Sequence, residues 1–225
     1  MLIVSLISLY IILFAIIVWY RFEFGLFLLF FLLPTYLIRF KFFGLPATLL
    51  EMMIFVIVLI YFAKNHTTLK TNLSDLKEKI KQNPSLTIAI FIFLTAATIS
   101  VFTSIDTKSA LGEWKAFYIE PVLIFLILIT PLSSQARERV NNLIFALVLS
   151  GLITSLFAIF QKFTGWYVPW IFWENGASYR VTGWYGFPNA VGLFLAPIVP
   201  LAFYLIKSRV NIWQYIISLT FIPLG

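Results

Sequence analysis

The residues best suited to bind a charged substrate lie between positions 162 and 189 of the chain. Arg180 carries a planar fork of N–H donors that suits two-point contacts to a phosphate or diphosphate, and Lys162 supplies a second positive charge. Gly183 allows a sharp turn, and Pro188 followed by Asn189 indicates the start of a helix whose free N–H groups point outward. We therefore treat Arg180, Gly183, Asn189 and Lys162 as candidate substrate-binding residues for an anionic ligand.

Each of these residues also has a plainer interpretation. Arg180 could contact lipid phosphates or pair with Glu174, and Lys162 could anchor a helix at the membrane interface. Asn189 could belong to an ordinary capped helix. Four of the seven tryptophans fall between positions 166 and 184, which is typical of an aromatic belt at a membrane surface. The residue types alone leave anion binding and interfacial anchoring both open.

Other chemistries find little support in the sequence. The chain has no cysteine, which excludes disulfides, thiolate metal sites and a cysteine nucleophile, and its single histidine, His66, cannot form a histidine cluster. The motifs of phosphate-binding loops, zinc proteases and serine hydrolases do not occur. Glu51 and Glu120 lie near the starts of apolar stretches, and we interpret both as structural. We expect neither a metal nor a cofactor.

The elements that must position these residues are membrane helices. Of 225 residues, 61% are hydrophobic and only 11% are charged, whereas soluble domains carry about a quarter charged residues. Because a helix needs about 20 apolar residues to cross a bilayer, the pattern predicts about seven spans and an eighth that opens at 212. The seven predicted stretches are 2–20, 24–38, 46–63, 86–102, 116–129, 143–160 and 190–206.

The distribution of positive charge predicts the topology. The linker 64–84 contains five lysines, so the positive-inside rule places it in the cytoplasm. The helical spacing of Leu73, Leu76 and Ile80 predicts an amphipathic surface helix over 72–81. Alternation of the spans then puts the loop 103–115 and the aromatic loop 161–188 outside. It also puts the N-terminus outside, unless the first two stretches form a re-entrant hairpin.

The predicted fold class is therefore all-α, a polytopic transmembrane helical bundle that forms a single domain over 1–225. The apolar pattern still continues at Gly225, so we expect the chain to be the N-terminal portion of a longer protein.

The segment from Tyr179 to Ala190 resembles the O-antigen ligase and O-antigen polymerase family of bacterial inner-membrane proteins. In that family an outer arginine is followed by a glycine, an aromatic residue and a Pro-Asn pair that opens the next span. The matching residues here are Arg180, Gly183, Phe187, Pro188 and Asn189. The resemblance extends from about residue 104 to the end, and the first hundred residues are compatible with it.

The resemblance implies a multi-pass glycosyltransferase of the bacterial inner membrane. Such an enzyme moves a glycan from an undecaprenyl-diphosphate carrier to a glycan or lipid acceptor on the outer face, without metal or nucleotide sugar. Arg180 matches an arginine that holds the diphosphate of the donor. The catalytic histidine of the family lies on a later outer loop, which His66 does not match, so we expect the catalytic residues beyond Gly225 and no activity from this chain alone.

Two other function classes remain as alternatives. A transporter or flippase of lipid-linked glycans would use helices broken near the bilayer midplane, for which Pro121, Pro197 and Pro200 are candidates. A non-enzymatic assembly subunit would favour small-residue packing stripes, and none stands out. Besides the carrier and acceptor, the expected partners are membrane lipids; nucleic acid is not expected, because the basic residues form short clusters between apolar runs.

Overall fold

A computed structural model of the chain describes residues 2–42, 45–65, 81, 83–129, 136–169, 180–208 and 210–225. Most of the predicted cytoplasmic linker, including its surface helix and His66, lies outside these ranges. So does the middle of the predicted aromatic loop, with Trp170, Trp173 and Glu174. The end of the loop that carries Arg180, Gly183 and Asn189 lies within them.

The described residues form an all-α protein, as the sequence predicts. Lipid offers no hydrogen-bond partners, and helices satisfy the backbone N–H and C=O groups within each segment. The α-helices are α1 (Leu2–Tyr20), α2 (Phe22–Phe31), α3 (Leu49–Asn65), α4 (Pro84–Thr103), α5 (Thr107–Trp114), α6 (Glu120–Ile129), α7 (Ala136–Thr164), α8 (Pro188–Leu195), α9 (Ile198–Lys207) and α10 (Ile212–Phe221). A 3₁₀ helix (Leu33–Leu37), a π-helical turn (Lys115–Ile119) and two paired strands, β1 (Arg39–Phe42) and β2 (Leu45–Thr48), complete the described elements.

Three helical segments in the described ranges are long and apolar enough to cross a membrane. They are Pro84–Thr103, Arg137–Thr164 and Pro188–Lys207, the last of which comprises α8 and α9. Ser5–Tyr20, α2 and α10 are shorter apolar helices. The three helices that could cross a membrane therefore lie between residues 84 and 207, and shorter apolar helices precede and follow them.

Prolines explain most of the differences between the predicted stretches and the helices. Pro34 falls in the 3₁₀ helix that follows α2, and Pro46 lies in β2, so the stretch 46–63 becomes helical only at Leu49. A proline ring removes a backbone donor and disfavours helical geometry at the preceding residue. The stretch 190–206 is interrupted at Ala196 and Pro197, between α8 and α9.

The chain divides into two compact units, described separately. Unit 1 comprises Met1–Phe22 and Lys41–Ala136, and unit 2 comprises Glu23–Phe40 and Arg137–Gly225.

In unit 1, α1 and α3 pack side by side and run in the same direction. The hydroxyl of Tyr10 donates a hydrogen bond to the sulfur of Met53 at 3.3 Å. Near the C-terminal ends of both helices, the carbonyl of Trp19 accepts a hydrogen bond from the Lys64 ammonium. The same ammonium lies 5.7 Å from the centre of the Trp19 indole ring. The C-terminal ends of α1 and α3 therefore lie at the same end of unit 1.

The start of α3 is fixed by a reciprocal capping interaction. The hydroxyl of Thr48 accepts from the Glu51 N–H at 3.2 Å, and the carboxylate of Glu51 accepts from the Thr48 N–H at 3.3 Å. The same carboxylate pairs with Lys115 at 2.9 Å. These contacts agree with a structural role for Glu51.

In unit 2, α2 and α7 also run in the same direction. Arg139, near the start of α7, forms a two-point ion pair with Glu23 at the start of α2, and its Nε atom lies 2.8 Å from the carboxylate. One to two turns further along, the rings of Phe27 and Phe145 lie 6.3 Å apart. The core of the unit packs α7 against the last three helices and contains Val148, Leu195, Ile198, Ala202, Leu205 and Phe221.

Candidate functional site

The candidate site is built on Gln161, in the last turn of α7, whose side chain is fully buried. Its amide oxygen accepts hydrogen bonds from the backbone N–H groups of Thr182, at 3.2 Å, and Gly183, at 2.8 Å. Its amide nitrogen donates to the carbonyl of Gly183 at 3.0 Å. One side chain therefore fixes the backbone of Thr182 and Gly183 onto the end of α7.

Gly183 occupies a backbone conformation that requires glycine. Its φ angle is +56°, in the left-handed region that other residues enter only at a cost. A Cβ atom at this position would lie 3.1 Å from the Cγ2 atom of Val191. The N–H of Tyr185 donates to the carbonyl of Thr182 at 3.0 Å, which completes a tight turn. Thr182–Tyr185 is called the 182–185 turn below.

Arg180 and Asn189 meet on the exposed side of this turn. Nη2 of Arg180 donates to Oδ1 of Asn189 at 2.7 Å, and both residues are exposed. Asn189 is the second residue of α8, which begins at Pro188 after a Phe187 N-cap that makes no side-chain hydrogen bond. The guanidinium is thus held at a helix N-terminus, where the positive end of the helix dipole also favours an anion.

Lys162, the remaining predicted binding residue, directly follows Gln161 at the end of α7, and its side chain is exposed. The structure thus brings Arg180 and Asn189 into direct contact and fixes Gly183 through Gln161. Lys162 lies next in the chain to the residue that organises the turn.

Sequence reasoning missed Gln161, which it treated as the first residue of the outer loop. The available signal was a lone amide side chain in the last turn of a long apolar stretch. Such a group is costly to bury unless it is hydrogen-bonded, so its presence points to nearby backbone groups that need partners.

An aromatic cluster adjoins the turn. It consists of Phe157, Phe160, Trp166, Tyr167 and Trp184. The indole of Trp184 stacks face to face on Phe157 with ring centres 3.9 Å apart and planes within 5°. Because Phe157 lies one helical turn before Gln161, the same end of α7 carries both the cluster and the polar turn.

An apolar cleft of about 130 Å³ runs between the 3₁₀ helix and α7, beside Trp184. Its lining includes Phe31, Pro34, Ile153 and Thr154 as well as Trp184. Its lining is almost entirely apolar, so a hydrocarbon group suits it better than a charged one.

Among the residues that the structure describes, the buried hydroxyls of Thr182 and Tyr185 in the turn find no hydrogen-bond partner. Burial raises the pKa of the Tyr185 phenol, and the nearby Tyr36 raises it further, so Tyr185 stays neutral at physiological pH. Within the described ranges, no group of three His, Asp or Glu residues could hold a metal ion. Arg180 is the exposed cation at this turn, and Lys162 follows Gln161 in the chain.

No protein-family model matches the chain, and no curated protein or solved structure matches it either. Over the described ranges, the fold and the site define an all-α protein with three helices that could span a membrane and an exposed arginine held at a helix N-terminus.

Proposed function

We propose that the chain is part of a multi-pass membrane glycosyltransferase that uses a glycan linked to undecaprenyl diphosphate at the outer face of the bacterial inner membrane. The observation that carries the proposal is the hydrogen bond between Arg180 and Asn189 across the 182–185 turn. Arg180, Gly183 and Asn189, which carry the sequence resemblance, thereby form one local structure.

The proposed chemistry needs a cationic site for the diphosphate of the carrier. Arg180 offers up to five N–H donors, of which Asn189 accepts one, so the rest of the fork is able to bind phosphate oxygens. Lys162 would add a second charge to offset the diphosphate. Gly183 would keep the turn compact. Asn189 would contribute to diphosphate binding by orienting the guanidinium of Arg180.

The proposal includes about seven membrane crossings with Arg180 on the outer side. In unit 1 the C-terminal ends of α1 and α3 lie together, so a cytoplasmic linker after α3 implies an outer N-terminus. In unit 2 Tyr36, which follows α2, contacts Tyr185 of the turn with ring centres 6.4 Å apart. That contact favours a first hairpin that crosses the bilayer over one that re-enters it.

Binding of undecaprenyl diphosphate to the protein in nanodiscs tests the proposal, with undecaprenyl monophosphate as the reference ligand. We expect the wild type to prefer the diphosphate. Hydrogen bonds to charged groups contribute about 1.5–3 kcal/mol, so Arg180→Ala should weaken diphosphate binding about tenfold to a hundredfold. Arg180→Lys keeps the charge but loses the fork, and an intermediate loss is expected.

The matched control is Arg39→Ala, which removes an exposed arginine from β1 on the same proposed face. It should leave the diphosphate preference unchanged. Equal losses in the Arg39 and Arg180 variants would mean that general positive charge attracts the lipid. In that case the proposed site is wrong.

A transporter of lipid-linked glycans is the second candidate, and one observation favours it. The segment Pro188–Lys207, which is long enough to cross the bilayer, has a two-residue interruption at Ala196 and Pro197, where both residues keep right-handed helical dihedrals. Broken helices near the midplane are typical of transporter binding sites. Pro197→Ala would impair transport strongly in that case, whereas binding of diphosphate at Arg180 would be unaffected.

A further inference from the structure

We propose that the aromatic cluster binds a pyranose ring of the glycan carried on the lipid diphosphate. This inference rests on the proposed function, because it assigns the part of the same donor that adjoins the diphosphate. The alternative explanation of these rings is an aromatic belt that anchors the protein at the membrane interface.

The cluster is a packed set of rings. Trp166 meets both Phe157 and Phe160 edge to face, at centre distances of 5.9 Å and 6.2 Å. Tyr167 lies 5.8 Å from Trp166 and 6.3 Å from Phe157. Because the rings support one another, their orientations are fixed before any ligand binds.

Trp166 and Tyr167 are the most exposed members of the cluster. Their side chains are 60% and 64% exposed. Within the described part of the chain, the indole N–H and the phenol O–H have no hydrogen-bond partner. The C–H face of a pyranose packs on the negative face of an aromatic ring, and its hydroxyls need donors and acceptors at the rim. Both requirements are met by the same two residues.

The backbone of Tyr167 is strained. Its φ angle is +63°, which is rare for a bulky residue and costs about 1–3 kcal/mol. Gly165, two residues earlier, also has a positive φ of 67°. The N–H of Val168 donates to the carbonyl of Gly165 at 3.3 Å, and Tyr167 takes the left-handed position of this turn. The turn fixes the backbone that carries both Trp166 and Tyr167.

The cluster is continuous with the anion site through Gln161. Phe157 and Phe160 precede Gln161 on α7 by one helical turn and by one residue. The side chain of Gln161 in turn accepts a hydrogen bond from the backbone N–H of Gly183. The next residue, Trp184, stacks on Phe157. In a lipid-linked glycan the first sugar is bonded directly to the diphosphate. A sugar site must therefore adjoin the diphosphate site, as this cluster adjoins the turn that carries Arg180.

The test compares two probes in nanodiscs: undecaprenyl diphosphate and the same lipid carrying one N-acetylglucosamine. We expect the wild type to bind the glycosylated lipid about fivefold to tenfold more tightly, the effect of one favourable ring contact. Trp166→Ala should remove this preference while leaving affinity for the lipid without sugar unchanged. Trp166→Phe retains a ring and should retain part of the preference.

The matched control is Trp213→Ala, which removes a similarly exposed tryptophan from α10 at the predicted cytoplasmic side. It should leave both affinities unchanged. If Trp166→Ala weakens both lipids by the same factor, the cluster is an interfacial anchor and the inference is wrong. Equal wild-type affinity for the two lipids would also overturn it.

Two further results separate this inference from the proposed function. Arg180→Ala should weaken both diphosphate lipids, because both carry the group it binds. If the wild type prefers diphosphate over monophosphate but shows no preference for the sugar, only the sugar site fails. If it shows no preference for diphosphate, the proposed function fails with it.

Discussion

Gly183 links the conformation of the turn to the proposed binding of the carrier. A side chain there would meet Val191 and would have to adopt a left-handed backbone, which costs about 1–2 kcal/mol for an L-residue. Gly183→Ala should therefore lower the melting temperature and weaken diphosphate binding, because the backbone held by Gln161 must move. Thermal unfolding and lipid titration in the same nanodiscs measure both effects.

Gly186 provides the control for this substitution within the same loop. A Cβ atom at Gly186 would meet nothing within 4 Å, and its φ angle is not in the left-handed region. Gly186→Ala should therefore leave stability and binding close to the wild type. Similar effects at both glycines would show that the loop as a whole, rather than the Gly183 conformation, governs binding.

At the scale of single residues, the types of Arg180, Gly183 and Asn189 predict an anion site at a turn before a helix, and anion binding there stays a prediction. The structure places Gly183 in the 182–185 turn and joins Arg180 to Asn189 by a hydrogen bond. Gln161 escaped prediction because its role depends on a tertiary contact 22 residues away along the chain. No local pattern indicates which backbone groups a buried amide will meet.

At the scale of elements, the start of α5 depends on one carboxylate in the proposed outer loop. Asp106 caps the helix by accepting hydrogen bonds from the N–H groups of Lys108 and Ser109 and from the Ser109 hydroxyl. The hydroxyl of Ser109 contributes most to lowering the pKa of this carboxyl, followed by its backbone N–H. The charged form therefore supports the helix.

The sign of this effect predicts a pH dependence. Because the pKa of Asp106 is lower in the folded state, its contribution to stability is present above the ordinary carboxyl pKa and is lost as pH falls through the folded value. Protection of the α5 amides from hydrogen exchange, corrected for the intrinsic rate, should fall over that acidic range in the wild type.

Two substitutions control for this prediction. Asp106→Asn keeps an acceptor that does not titrate, so its α5 protection should not depend on acidic pH. Asp106→Ala should lose protection at all pH values. Identical acid profiles in the wild type and Asp106→Asn would contradict this account of the cap.

Hydropathy predicted where the helices lie, and proline explains where they stop or change form. The predicted stretch 2–20 coincides with α1, because nothing interrupts its apolar run. The stretch 116–129 instead starts as a π-helical turn and becomes α-helical at Glu120, immediately before Pro121. Proline removes the donor that the preceding turn would use, and hydropathy carries no information about that backbone bond.

At the scale of the whole molecule, the apolar composition predicts a membrane protein, and the described helices are compatible with one. The predicted number of crossings is about seven, whereas three described segments have the length and composition needed to span a bilayer. Short helices such as α2 and α10 depend on their neighbours to cover their backbone ends, and a single-sequence pattern does not report such neighbours.

The absence of cysteine from the sequence allows a direct test of the proposed topology. A cysteine inserted after Met1 and single cysteines replacing Thr107 and Ser208 would be labelled with a membrane-impermeant maleimide on spheroplasts. We expect labelling of the N-terminal cysteine and at Thr107, and none at Ser208 until the membrane is permeabilised. Protection of the N-terminal cysteine together with labelling at Thr107 would indicate that the first hairpin does not cross the bilayer as proposed.

The measurement that tests the central claim most directly is a competition between two lipids for one protein. Native mass spectrometry of the protein from nanodiscs with equal amounts of undecaprenyl diphosphate and undecaprenyl monophosphate would identify the lipid that remains bound. The diphosphate should predominate for the wild type and for Arg39→Ala, and the preference should disappear in Arg180→Ala. Equal retention of the two lipids by the wild type, or an unchanged preference in Arg180→Ala, would contradict a diphosphate site at Arg180.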